Sequence, residues 1–289
     1  MITLDHILKH IDNLPEPPKA SVQALNMLED PKVSIAKVAD FISMEEVLTS
    51  KILRLANSAF YGFQGSVHTV GEAMMRLGTN VIKSTLYSSM LEASKFNVNP
   101  LFLTLWKSAL FSAFMAKEVG TRLNINRSDL CFTGGLLCDL GQLPLCEFAR
   151  EDYAPVIERA RTTGQSLLDA EMETFNFHHP RVGLKLADTW KLPIVYQNVI
   201  RYHHDPQRAY MKVLKEDYKL IVAVHVANLI SPYISDGSGN TIDPTALSNA
   251  GYAYDKRMLV ESLTPKLDHI NEDIERITDA MFGSNVAKS

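Results

Sequence analysis

Apolar side chains in this chain recur three and four residues apart from one end to the other, and nowhere do they alternate with polar ones for more than a few residues. Leu4, Ile7, Leu8 and Ile11 form one such stripe, and Ile35, Val38, Ala39 and Ile42 form another. Near the far end Leu267, Ile270, Ile274, Ile277 and Met281 make a narrow seam, which reads as core because a helix that buries a stripe usually buries it in its own chain. This period fits helices whose stripes pack on one another and leaves no segment for a sheet. The expected fold class is therefore all-α.

Punctuation residues divide the pattern. Prolines in Leu14–Pro18 end the first helix by removing donors and forcing extended backbone. A second helix runs from near Pro18 to Asp30-Pro31, and Ser34 caps a third. A fourth carries Val47, Ile52 and Leu55 into Asn57 and Ser58. Thr69 and Glu72 have capping-box spacing, and Gly78 is placed to close that helix in a left-handed turn, before another from Thr79 to Ala93. The aperiodic Lys95–Pro100 marks a boundary. Longer helices follow over Leu101–Leu123, Ser128–Leu145, Pro180–Trp190, Ile194–His203 and Leu214–Ile230, with Ser166 capping one more that Asn176 terminates. Gly134 and Gly135, inside the second of these, allow a neighbouring helix to approach closely. The expected organisation is an N-terminal helical subdomain over 1–95, a helical core over 96–232, and a loop and helical extension over 233–289.

Composition removes several functions. With 29 basic against 33 acidic residues the formal charge is −4, spread along the chain, which offers no cationic face to nucleic acid. The most apolar window, Leu220–Ile230, is too short to cross a bilayer and contains His225 and Asn228, so no membrane partner is expected. The N-terminus carries Asp5 in an amphipathic stripe and does not read as a secretion signal. Three cysteines, Cys131, Cys138 and Cys146, are an odd number for a disulfide framework, and a reducing cytoplasm is the expected compartment.

Histidine is the informative residue type. His178-His179, His203-His204, His225 and, from the first subdomain, His68 are placed where they can meet. Adjacent helical positions point a third of a turn apart, so the natural constellation takes one ring from each pair. With Asp139 it would suit zinc, iron or manganese and supply an activated water for phosphoester hydrolysis. The same pairs, beside Pro180 and Pro206, serve equally well to cap helix ends or bond carbonyls. Cys138, among Leu136, Leu137 and Leu140, reads as a small core hydrophobe before it reads as a thiolate ligand. Gly62-Phe-Gln-Gly65 lacks the strand and basic residue of a phosphate loop and reads as a turn, with Phe60, Tyr61 and Phe63 as an aromatic patch suited to a partner.

One set of residues carries a resemblance. Leu14-Pro15, Ile52-Leu-Arg-Leu-Ala-Asn57-Ser58 with Tyr61-Gly62, and Ala73–Gly78 open it. Trp106, Gly135-Leu-Leu-Cys-Asp-Leu-Gly141, Glu173–His179, Trp190–Pro193 and His203-His204 complete it. The chain thereby resembles the HDOD family of bacterial signalling domains, which is similar to the HD superfamily of metal-dependent phosphohydrolases. The resemblance implies an HD-like helical core. It also implies a metal site built from one histidine, a His-Asp pair and a distant aspartate. On this sequence those positions hold Ser108, Cys138 with Asp139, and Asn228, so three of the four ligands are altered. A neutral hydroxyl is a poor ligand, and an amide in place of a carboxylate removes a charge that would balance a divalent cation.

The resemblance thus implies a cytoplasmic regulatory module that works by binding, with no cofactor and the old metal pocket reduced to a polar cleft. Cleft candidates are Glu173, His179, Arg181, His203 and His204; a residual zinc site would use Cys138, Asp139, His179 and His204. The implied partner is a signalling protein such as a histidine kinase or a cyclic-nucleotide enzyme. Two alternatives stand beside it. One is a metal-dependent phosphohydrolase or phosphodiesterase using Asp139, His179 and His203 or His204. The other is a nucleotide sensor without turnover that holds phosphate through Arg181, Lys185 or Arg201.

Overall fold

The computed structural model describes residues 2–57, 66–94, 96–125, 128–210, 212–230 and 263–282, and these contain helices and no strand. In chain order they are α1 (Leu4–Asp12), α2 (Lys19–Glu29), α3 (Ile35–Ser43), α4 (Glu46–Ala56) and α5 (Val70–Ala93). Next come α6 (Pro100–Arg122), α7 (Ser128–Leu137), α8 (Gln142–Phe148), α9 (Arg150–Thr163) and α10 (Leu167–Phe175). The remainder are α11 (His179–Thr189), α12 (Ile194–Tyr202), α13 (Lys215–Ile230) and α14 (Leu267–Phe282). The all-α fold is the one the periodicity requires.

The caps form as their sequences dictate. Ser34 accepts from Lys37 N and Ser166 from Asp169 N. Thr69 and Glu72 close a reciprocal capping box. Asn176 ends α10 at φ 60°, in the left-handed conformation. Gly78 does take a positive φ, 77°, but its ψ of 162° is not a helix-closing turn; it kinks α5 and the helix continues. The expected single helix over Ser128–Leu145 is also two, α7 and α8, because residues 138–141 leave helical geometry to rest on another element.

The described residues form two compact units. One comprises residues to Asn13 and Leu101–Ile274, and the other Leu14–Pro100 and those after Ile274, so α14 contributes to both. The expected N-terminal subdomain of 1–95 differs from this in its first helix, which packs on α8 and α11 of the larger unit. Ile7 and Ile11 are fully buried. Removing each from water contributes about 1.5–3 kcal/mol, and Asp12 adds a salt bridge to Lys185 at 2.5 Å. In the smaller unit α2, α3 and α4 pack around α5. There Asn57, at the end of α4, donates to Val67 O and accepts from Val67 N, tying the two ends of the segment between them. Its motif neighbours Ser58, Tyr61 and Gly62, and the aromatic patch at Phe60–Phe63, lie outside the described residues. The seam of the last helix is core: Leu267, Ile270, Ile274 and Ile277 are all buried.

Candidate metal centre

The site lies in the larger unit, where α7 breaks. Leu140 N donates to Leu137 O and Gln142 N to Asp139 O, which makes a tight turn of residues 138–141. That turn sits on the first turn of α11. A Cβ at Gly141 would lie 1.9 Å from His179 O and 2.5 Å from Gly183 N, so only glycine permits the approach. Gly135 does the same one helix away, where a Cβ would meet Ser112 O of α6 at 2.4 Å. The glycines of the Gly135–Gly141 motif therefore deliver Asp139 to His179: Oδ1 stands 3.0 Å from His179 Nε2.

His179 reaches this point through a second tight turn. Asn176 turns the chain back after α10, so that Glu171 lies beneath the start of α11. Glu171 and His179 are both fully buried. Glu171 Oε2 accepts from His179 N at 2.9 Å, filling a helix N-terminus with a carboxylate, and His179 Nδ1 meets both oxygens at 2.9–3.0 Å. Tyr153 OH donates to Glu171 Oε1 at 2.7 Å. Burial lowers the basicity of His179, and the Glu171 charge with Asp139 more than offsets it, raising its pKa to about 10. Burial likewise pushes the Asp139 carboxyl up, but the adjacent His179 and His203 imidazoles hold it well below its ordinary value.

The end of α12 supplies two more nitrogens. His203 Nδ1 faces Val199 O and Ile200 O, both at 3.1 Å, which places its proton there and leaves the Nε2 lone pair facing inward. That Nε2 is buried, makes no hydrogen bond, and stands 3.4 Å from Asp139 Oδ1. A lone pair aimed at a carboxylate is repulsive unless a proton or a cation sits between them. His204 Nε2 lies 3.0 Å from His179 Nε2. Burial and the neighbouring imidazoles depress its pKa well below the ordinary value, keeping it neutral. Asp139, His179, His203 and His204 thus place one ligand atom each within 4.8 Å of one another.

Both members of His203-His204 join the site, against the expectation of one ring per pair. They follow the last residue of α12, where the turn brings their rings 4.0 Å apart, and helical spacing no longer separates them. From the other pair only His179 enters. His225 donates to His203 O at 2.6 Å and His68 lies on the surface, so neither belongs to the group of four.

Several candidates fall elsewhere. Glu173 is exposed and bonds Gln165 and Arg159; the carboxylate that meets His179 is Glu171. Its signal was present in the sequence as a charge within the apolar stripe Leu167, Glu171, Phe175. Cys138 is displaced from the expected ligand set by His203. Its thiol bonds Gly135 O at 3.1 Å and exchanges longer contacts with Asp139 and Asn228. Burial and the adjacent Asp139 charge push its pKa well up, away from the thiolate form. Asn228 donates to Cys138 Sγ at 3.4 Å, and Ser108 is half-buried on α6. Of the phosphate-binding candidates, Lys185 is bound to Asp12, Arg201 lies over the Tyr202 ring, and Arg181 is exposed. Trp106 and Trp190 are core residues at 1% exposure. All three cysteines are free and buried.

The chain matches the HDOD domain family over residues 14–206, most of its length. It belongs to the HDOD domain family. An uncharacterized protein of Treponema pallidum (strain Nichols) is 28% identical over 230 residues, a match covering 77% of this chain and 43% of the relative. This HDOD chain thus spans less than half of the curated relative it matches. An HDOD domain protein of unknown function from Geobacter sulfurreducens superposes with a TM-score of 0.68 at 22% identity, over 95% of this chain and 99% of that one. A provisionally assigned phosphohydrolase of Shewanella amazonensis SB2B superposes at 0.67 with 23% identity, over 94% and 97%. At these identities the likeness is one of fold. Among the described residues no helix is long and apolar enough to cross a membrane.

Proposed function

We propose that this HDOD chain is a regulatory module that acts by binding, and that Asp139, His179, His203 and His204 hold one divalent cation within it. The observation that carries the reading is His203 Nε2, buried without a hydrogen-bond partner and aimed at Asp139. The imidazole-rich donor set fits a borderline cation such as zinc or iron, with the harder manganese suited mainly to the carboxylate. For bonds of about 2.0–2.1 Å, two ligands of a tetrahedral ion lie about 3.3 Å apart. Three of the six separations here are 3.0, 3.0 and 3.4 Å, and all six lie within 4.8 Å. Glu171 supplies the outer partner that fixes the imidazole of His179 with Nε2 inward, an arrangement that tunes metal-bound histidines generally.

A bound ion would bring Lewis acidity and a compact double positive charge. What this chain does around it favours holding over hydrolysis. Three imidazoles and a carboxylate already fill a tetrahedron, whereas a hydrolytic site keeps a position open for water. Ser108, Cys138 and Asn228 stand where the related hydrolases have further ligands, and Cys138 is held in the protonated form that binds metal poorly. The regulatory output is a change in affinity for a signalling protein, with a histidine kinase or a cyclic-nucleotide enzyme as the partner class.

Metal analysis of protein purified without chelator, paired with hydrolysis of a chromogenic phosphodiester, tests the reading. Stoichiometric zinc, iron or manganese that disappears in Asp139→Ala, with no hydrolysis, supports it. Turnover lost in the same variant replaces it with the phosphohydrolase. Protein that neither carries nor takes up such an ion sinks it.

A further inference from the structure

Two histidines outside the centre form a pair of their own. His6 and His10 are four residues apart on α1, one above the other on its exposed face, and their Nε2 atoms are 3.1 Å apart. The helix beneath them is fixed. Thr3 caps it by accepting from His6 N, and Ile7 and Ile11, a third of a turn round from the two histidines, anchor it at full burial. The His10 ring is held as well, stacked on Phe148 of α8 with centroids 4.7 Å apart and planes 16° from parallel. Little rotamer freedom remains to be lost when a ligand engages both rings.

We propose that His6 and His10 are a bidentate surface site for a transition-metal dication of the nickel, copper or zinc class. Two nitrogens each at about 2.0–2.1 Å from one ion lie about 2.9 Å apart at a right angle and about 3.3 Å apart at the tetrahedral angle. The observed 3.1 Å falls between, so either geometry is reached without moving the backbone. Imidazole suits these ions, and affinity for nitrogen sites rises toward copper along the first row. Histidines at this spacing on one helical face are a recurring metal-binding element. Solvent fills the remaining coordination positions, which makes the site exchangeable, unlike the buried four-ligand group.

Retention of the untagged full chain on resin-bound nickel iminodiacetate tests this directly, since an already chelated nickel ion accepts only nitrogens that protrude from the surface. The chain should be retained and released by imidazole. His6→Gln and His10→Gln should each weaken retention by about tenfold or more, because the second imidazole binds at high effective concentration. His68→Gln, His269→Gln and Asp139→Ala should leave retention unchanged. In solution, free nickel should raise the thermal midpoint of the wild-type chain more than that of His6→Gln, with the variant's metal-free midpoint unaltered. No retention of the wild-type chain, retention indifferent to His6 and His10, or loss with His269→Gln would each overturn the site.

Discussion

Each of the two units buries charge, and they do so differently. In the smaller unit Lys83, 1% exposed in the middle of α5, meets Glu29 at 2.7 Å. That pair joins one cation to one carboxylate of opposite charge. In the larger unit two carboxylates, Asp139 and Glu171, converge on His179, while His204 is held neutral. Even with His179 protonated, a negative charge is left over. A dication bound by three neutral imidazoles would balance both carboxylates, and that surplus separates a buried ion pair that only packs from a group arranged to receive something. The proton on His179 is then the placeholder that a cation displaces.

The largest effect should come from the balanced pair. Lys83→Ala strands Glu29 in a poorly solvated position, and breaking such a pair costs about 3–5 kcal/mol, whereas Lys83→Met with Glu29→Leu should recover most of it. Urea denaturation measures both. If the double variant is as unstable as the single one, the pair does more than neutralise itself.

At the unbalanced group, the sharper readout is the ion. Zinc or manganese at about a hundred times its dissociation constant should stabilise the wild-type chain by about 2.7 kcal/mol. Asp139→Asn should abolish the gain, and the Lys83 variants should keep it. A gain that survives Asp139→Asn would place the ion elsewhere. Gly141→Ala should come next, at about 1–3 kcal/mol for overpacking. Because its Cβ would strike His179 O, metal binding should be lost with it, whereas Gly134→Ala meets only side chains at 3.2 Å and should keep the ion.

How much of this was legible in the sequence follows from what each residue depends on. Helices and caps were readable because Ser34, Thr69, Ser166 and Asn176 act on their own neighbours within one turn. The motif glycines were visible, but their partner was not. Gly141 contacts His179, 38 positions along the chain, and no local pattern reports that. The attachment of α1 to α8 and α11 was not legible, since an amphipathic stripe says that it is buried and not against what. Three site residues depend on more than local spacing. His203 and His204 follow a helix that ends at Tyr202, so helical spacing does not separate their rings, and Glu171, unlike Glu173, sits in the buried stripe of its helix.

The smallest effect should come from Tyr153→Phe, and it bears most closely on why the two buried charges differ. Burial, with the Glu171 charge beside it, pushes the Tyr153 hydroxyl well above its ordinary pKa, so it remains a donor across the pH range in which the chain is handled. Removing it takes one hydrogen bond from Glu171 Oε1 and leaves His179 Nδ1 still 3.0 Å from that oxygen. A hydrogen bond to a charged group contributes about 1.5–3 kcal/mol when nothing replaces it. Because His179 remains, a loss at or below the lower end is expected, with no new pH dependence below the alkaline range. A cost as large as that of Lys83→Ala would mean that Glu171 depends on the tyrosine for its charge balance, and the case for a missing cation would weaken accordingly. A small cost, together with reduced ion affinity, would instead assign Tyr153 to the alignment of Glu171 beneath His179.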